Sequence, residues 1–242
     1  MILSFVDELT NNTLLFKILI FVILLLVLVG LWLVRSLKFK KKMTLRDISL
    51  ISIFAALSFV LYFAKISLPI FPSFLEMNLS MLPIIIIGFI LGPVEGVTVV
   101  LLRTCLKIPF TSTACVGEIA DMLIGIIVVL TTSLIYEHHK TKKGAILALV
   151  FGSIAWILIS VLTNWLINIP FYVALYFNND VNILISLLSM IPNVNESNYM
   201  IKYLLFAVVP FNLILSSIVS LITFLTYKKI SFLCKKDVEK HE

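Results

Sequence analysis

The chain has 242 residues, of which 61% are apolar and only 13% charged, with a formal net charge of +6. Soluble domains carry roughly 25% charged and 45–50% apolar residues. A single soluble core cannot hide this much apolar surface, so the composition excludes an ordinary soluble domain and points to a polytopic helical membrane protein. The basic residues sit in short loops between apolar runs, which excludes nucleic acid as the reason for the positive charge.

Ile18 to Val34 is the first apolar run, about long enough to span the hydrocarbon. Asp7 and Glu8 precede it where a signal peptide would carry positive charge, so it reads as a retained anchor helix. Arg35, Lys38, Lys40, Lys41, Lys42 and Arg46 follow as a strong cytoplasmic loop. A second helix runs from roughly Asp47 to Ala64. In it Ser52 and Ala56 stand four apart, a small-residue pair that lets another helix approach closely. Lys65 to Glu76 cannot be a helix interior, because Pro69 and Pro72 interrupt it. With Phe71 and Phe74 interleaved, the stretch suits either a lid over a pocket or an interfacial loop with aromatic anchors.

Met81 to Leu91 reads as a helix ending at the tight turn Gly92-Pro93-Val94-Glu95-Gly96, and Gly96 to Leu106 as another. A loop of small and hydroxyl residues from Thr111 then leads into a helix over about Val116 to Tyr136. It places Glu118 and Asp121 three apart, hence on one helical face. They are either first-turn acids favoured by the helix dipole or functional groups in an apolar setting. Glu137 to Lys143 is a second cytoplasmic loop, with His138 and His139 solvated. Gly144 to Phe177 is one long helix bent near Pro170. Asn178 to Asn198 reads as re-entrant or interfacial, and the last span covers Met200 to Tyr227.

Six, three and five basic residues fall in the loops at 35–46 and 140–143 and in the tail at 228–240, out of 19 in all. That asymmetry implies seven spans, with the amino terminus outside and the carboxyl terminus inside. Cys105, Cys115 and Cys234 are scattered and odd in number, forming neither a disulfide framework nor a metal cluster. No phosphate loop, H-E-x-x-H or nucleophile elbow is present.

Asn164, Asn168 and Tyr172 stand four apart, as do Asn212, Ser216 and Ser220, so each set shares a helical face. Buried amides in lipid need partners. Helix–helix hydrogen bonding is one explanation and a pocket for a polar small molecule the other. Three polar clusters on three helices beside an aromatic loop favour the pocket, mostly apolar with a few placed amides and hydroxyls.

Five motifs occur in order: IGFILGPVEGV (Ile87 to Val97), TSTACVGEIADMLIG (Thr111 to Gly125), KTKKGA (Lys140 to Ala145), TNWLINIPFY (Thr163 to Tyr172) and VVPFNLI (Val208 to Ile214). Together they resemble the substrate-binding (S) subunit of energy-coupling factor (ECF) transporters, riboflavin-specific type, over roughly Thr44 to Leu233. The resemblance implies an all-α integral membrane protein, a six-helix S-component bundle to which Ile18 to Val34 adds one N-terminal transmembrane helix. The chain then divides into residues 1–43, an anchor with its basic loop; 44–233, the vitamin-binding membrane domain; and 234–242, a charged tail. It implies a transport subunit of a prokaryotic plasma membrane, without an ATPase site or cofactor of its own. Riboflavin or a related flavin would be captured from outside and delivered through a T subunit and two ATPase subunits.

By the same resemblance, Asn164 and Asn212 match the asparagines that hold the ligand. The aromatic loop, with Phe71 and Phe74, and the start of the fourth helix, with Glu118 and Asp121, close the pocket. Asn168, Tyr172 and Ser216 lie on the same faces. Ser52 and Ala56 match an Ala-x-x-x-Ala docking pair with one conservative change. Two positions depart from the pattern: Leu215 replaces the lysine of P-F-N-x-x-K, and Asp121 replaces the asparagine of G-E-L-A-N. They leave open a different vitamin or flavin derivative, and a solitary ion-coupled transporter working through Glu118, Asp121 and Arg103 is the remaining alternative.

Overall fold

The computed structural model describes residues 44–236, with side chains as far as residue 230. The expected anchor helix Ile18 to Val34, the basic run before Thr44 and the end of the tail lie outside the described residues. Helix α1 (Leu45–Phe63) starts at a reciprocal cap. The Thr44 hydroxyl accepts from the Asp47 amide at 3.2 Å, and the Asp47 carboxylate accepts from the Thr44 amide at 3.1 Å. The proline-containing loop that follows is non-helical, but its ends are paired. β1 (Ile66–Ser67) and β2 (Glu76–Met77) form an antiparallel ladder with Ile66 opposite Met77 and Ser67 opposite Glu76. A Lys65–Glu76 ion pair lies at its base. Two-residue strands carry no readable periodicity, so the sequence shows a non-helical lid or interfacial loop there but not the pairing of its ends.

Helices α2 (Met81–Leu91) and α3 (Pro93–Lys107) join at Gly92, whose φ of 123° requires glycine. Pro93 starts α3 at the one position where its missing N–H costs nothing. At 11 and 15 residues the two helices are about 16 and 22 Å long, short of a roughly 30 Å hydrocarbon core. They pack on α4 (Val116–His138) through bare backbone: a Cβ at Gly96 would come within 2.5 Å of Val129 Cγ2.

Beyond α4, Thr141 caps α5 (Lys142–Thr163) by accepting from the Gly144 amide at 3.0 Å. The chain continues through a π-turn (Asn164–Asn168) into α6 (Ile169–Tyr176). Pro170 cannot donate to the carbonyl four residues back and its ring presses on that carbonyl; the widened turn just upstream accommodates it. The same arrangement recurs in the last rod, where a π-turn (Leu204–Val208) between α8 (Tyr199–Tyr203) and α9 (Val209–Lys236) precedes Pro210. The stretch between the rods holds a short helix, α7 (Val181–Leu187), capped by the Asp180 carboxylate and anchored by buried Leu184 and Leu188.

Among the described residues, four helices are long and apolar enough to cross a bilayer: Leu45–Phe63, Val116–His138, Lys142–Tyr176 and Tyr199–Ile230. Six of the seven spans expected from the loop charges fall within the described residues, as these four long helices and the short α2–α3 pair; the other, Ile18 to Val34, lies outside them. The charge count marks where loops lie but not how deep a helix reaches. The protein is a multi-pass helical membrane bundle that is apolar outside as well as in, with Ile53, Val60, Leu158, Leu166, Phe206 and Leu221 exposed on its flanks. Its interior instead gathers polar groups, including Arg103, Lys107, Glu118, Ser160, Asn164 and Asn212.

Candidate binding cavity

The interior polar groups surround a cavity of about 250 Å³, just below the usual range for small-molecule sites, roughly 300–1,000 Å³. One rod supplies a full column of its wall. Trp156, Ser160, Asn164, Asn168 and Tyr172 stand at intervals of four along α5, the π-turn and α6, and all face the cavity. Phe211, Asn212 and Leu215 face them from α9. The column runs from an apolar floor at Trp156, Phe211 and Leu215 to a hydroxyl-rich end at Tyr172 and Thr113.

Midway up, the two rods are tied by their asparagines. The Asn164 Nδ2 donates to Ser160 O at 2.8 Å, and its Oδ1 accepts from the Tyr203 hydroxyl at 2.8 Å. The Asn212 Nδ2 donates to Val208 O at 2.8 Å, and its Oδ1 accepts from the Ser160 hydroxyl at 3.1 Å. A primary amide has two N–H donors and two acceptor lone pairs. Each asparagine is thus held in one orientation while keeping an N–H and a lone pair for a ligand.

The opposite wall is charged. The Glu118 Oε2 accepts from the Thr111 and Thr113 hydroxyls, both at 2.8 Å, and its Oε1 lies 3.1 Å from Lys107 Nζ. The Lys107 ammonium also sits 3.4 Å from the centroid of the Tyr62 ring, a cation–π contact. Both Glu118 oxygens are therefore committed to the protein, and they hold the Thr111–Cys115 loop against α3. That loop needs holding, because Ala114 and Cys115 take left-handed φ values of 48° and 68°. Tyr62 and Asp121 line the same wall of the cavity. Arg103, 2% exposed, donates to the Ser80 hydroxyl at 2.8 Å and to the Asp121 main-chain oxygen at 3.4 Å.

Of the residues singled out in the sequence, Phe74, Glu118, Asp121, Asn164, Asn168, Tyr172 and Asn212 border this one cavity. Phe71 and Ser216 do not. Phe71 is one layer out, edge-on to Phe211 with ring centroids 5.4 Å apart. Ser216 is fully buried, and its hydroxyl donates within its own helix to Leu213 O at 3.3 Å. Neither loop aromatics nor a four-residue spacing reveals which turn of a helix meets open space. Ser52 and Ala56 lie together on the exposed face of α1, away from the cavity. The sequence reading missed Tyr62, Lys107 and Ser160 as parts of this wall. Arg103 and Lys107 stand four apart in the mostly apolar second half of α3, a signal that two cations share an inward face.

A bundle with such a cavity is matched by a family model covering residues 46–227, described as the substrate-specific component of ECF transporters. The chain belongs to that family. It is 26% identical over 186 residues to the riboflavin transporter RibU of Staphylococcus aureus (strain TCH60), covering 77% of this chain and 90% of that one. It is 29% identical over 196 residues to the RibU of Streptococcus thermophilus, covering 79% and 85%. With the riboflavin transporter FmnP of Bacillus subtilis (strain 168) it shares 24% identity over 133 residues, covering 54% and 70%. A solved S component of a bacterial ECF transporter superposes with a TM-score of 0.57 at 26% identity, covering 78% of this chain and 97% of that one. As a family member this S component is a transport protein rather than an enzyme.

Proposed function

We propose that this S component binds riboflavin or a closely related flavin from outside the cell and delivers it through a T subunit and two ATPase subunits. The observation that carries the reading is the pair of oriented asparagines, Asn164 and Asn212, above an apolar floor of Trp156, Phe211 and Leu215. A flavin has a flat apolar ring system whose polar edge alternates carbonyl oxygens with an N–H. Two amides that each keep one donor and one lone pair suit that edge, and the floor suits the apolar end. Buried in a low-dielectric site, such hydrogen bonds discriminate strongly against ligands that cannot complete them. The names of the curated relatives support the same substrate.

Glu118 serves this site as scaffold, keeping the Thr111–Cys115 loop and Lys107 in place, while Phe74 and Tyr62 close the cavity from the hairpin side. Ser52 and Ala56, small and exposed on α1, are the docking surface for the T subunit. The amino terminus lies outside and the carboxyl terminus inside, with residues 1–43 forming an anchor separate from the 44–233 domain. The test is titration of riboflavin against purified protein: flavin fluorescence is quenched at nanomolar concentrations. Unchanged fluorescence at micromolar protein refutes the substrate.

A further inference from the structure

Among the described residues, one buried side-chain oxygen of the cavity wall has no hydrogen-bond partner. The Asn168 Oδ1 is buried and has no hydrogen-bond partner, although its residue borders the open space. An unpaired buried amide oxygen is costly, and native structures keep few of them. Here the position adds meaning. Asn168 stands one turn above Asn164 in the wall column, between the amide layer and the hydroxyl-rich end. At that end the Tyr172 and Thr113 hydroxyls flank Gly117 at the cavity wall. Gly117 opens the space beside them: a Cβ there would lie 3.0 Å from Thr113 Oγ1 and 3.4 Å from Tyr172 Oη.

Resting on the flavin reading above, we propose that Asn168 is a specificity-determining residue that reads the hydroxylated chain of the ligand, its Oδ1 accepting a hydrogen bond from a chain hydroxyl. The ring is served one turn deeper by Asn164 and Asn212, over the apolar floor. A polyol attached to such a ring extends toward Asn168, Tyr172 and Thr113, where polar partners replace apolar ones and Gly117 leaves room. A ligand with the same ring but no donor at this height leaves the Asn168 oxygen as unpaired as it is now.

The experiment compares riboflavin with lumiflavin, the same ring bearing a methyl group in place of the polyol. Each is titrated by fluorescence quenching into the wild-type chain and into Asn168→Leu, which keeps the volume and removes the amide. Riboflavin is expected to bind the variant about tenfold more weakly, the loss that follows when a buried hydroxyl loses its partner. Lumiflavin binding is expected to change less than about twofold, which also shows that the variant folds. Equal weakening of both ligands, or no weakening of riboflavin, overturns the assignment. If the wild-type chain binds riboflavin but not lumiflavin, a riboflavin-bound structure decides. An Asn168 Oδ1 farther than about 3.5 Å from every chain hydroxyl overturns it. A wild-type chain that quenches neither ligand refutes the flavin reading itself, and this assignment falls with it.

Discussion

Glu118→Gln tests whether the acid at the start of α4 is a strut rather than a proton carrier. Glu118 is 3% exposed and the Lys107 side chain 11%, so their 3.1 Å ion pair is shielded from water on both sides. Glutamine can still accept from the threonine hydroxyls, but it leaves the Lys107 ammonium with only the Tyr62 ring and the more distant Asp121 charge for compensation. Breaking one half of a buried pair costs about 3–5 kcal/mol. For a chain of this size each kcal/mol moves the melting temperature by about 2–4 °C, so a fall of roughly 6–20 °C is expected. Thermal unfolding in detergent, without ligand, reads it directly. The double change Lys107→Met with Glu118→Leu removes both charges and is expected to recover more than half of that loss. A Glu118→Gln protein melting within 2 °C of wild type would refute the strut. So would a double variant no more stable than the single one.

Asn164→Ala and Asn212→Ala are each expected to weaken riboflavin binding by about 1–3 kcal/mol, read by fluorescence titration, because each also strands a buried hydroxyl, that of Tyr203 or Ser160. Gly96→Ala puts a Cβ 2.5 Å from Val129 Cγ2 and 3.3 Å from the Gly88 Cα, so a loss of about 1–3 kcal/mol is expected from overpacking. A thermal scan checks it, and an unshifted midpoint would show that α2 and α3 can move off α4. Replacing Ser52 and Ala56 together with tryptophan is expected to abolish co-purification with the T subunit while leaving the riboflavin titration unchanged, since both side chains point away from the cavity.

The sequence by itself determined the class, the element order and the two polar stripes. An apolar excess this large has no soluble solution. Proline and glycine positions punctuate helices through local sterics, so Met81 to Leu91 is legible to the residue. A four-residue interval likewise puts Asn164, Asn168 and Tyr172 on one face without any knowledge of neighbours. The tertiary structure decided what that face meets. Lys107 and Glu118 are separated by the Ile108–Phe110 turn and a left-handed loop, and no sequence interval says that their side chains converge on Tyr62. Nor does spacing separate Asn212, which opens onto the cavity, from Ser216, one turn on and sealed in the packing. Helical periodicity is a property of one rod, whereas an enclosed cavity is a property of where several rods fail to touch. That is why Asn168 could be placed on a face from the sequence, but its unpaired oxygen only from the fold.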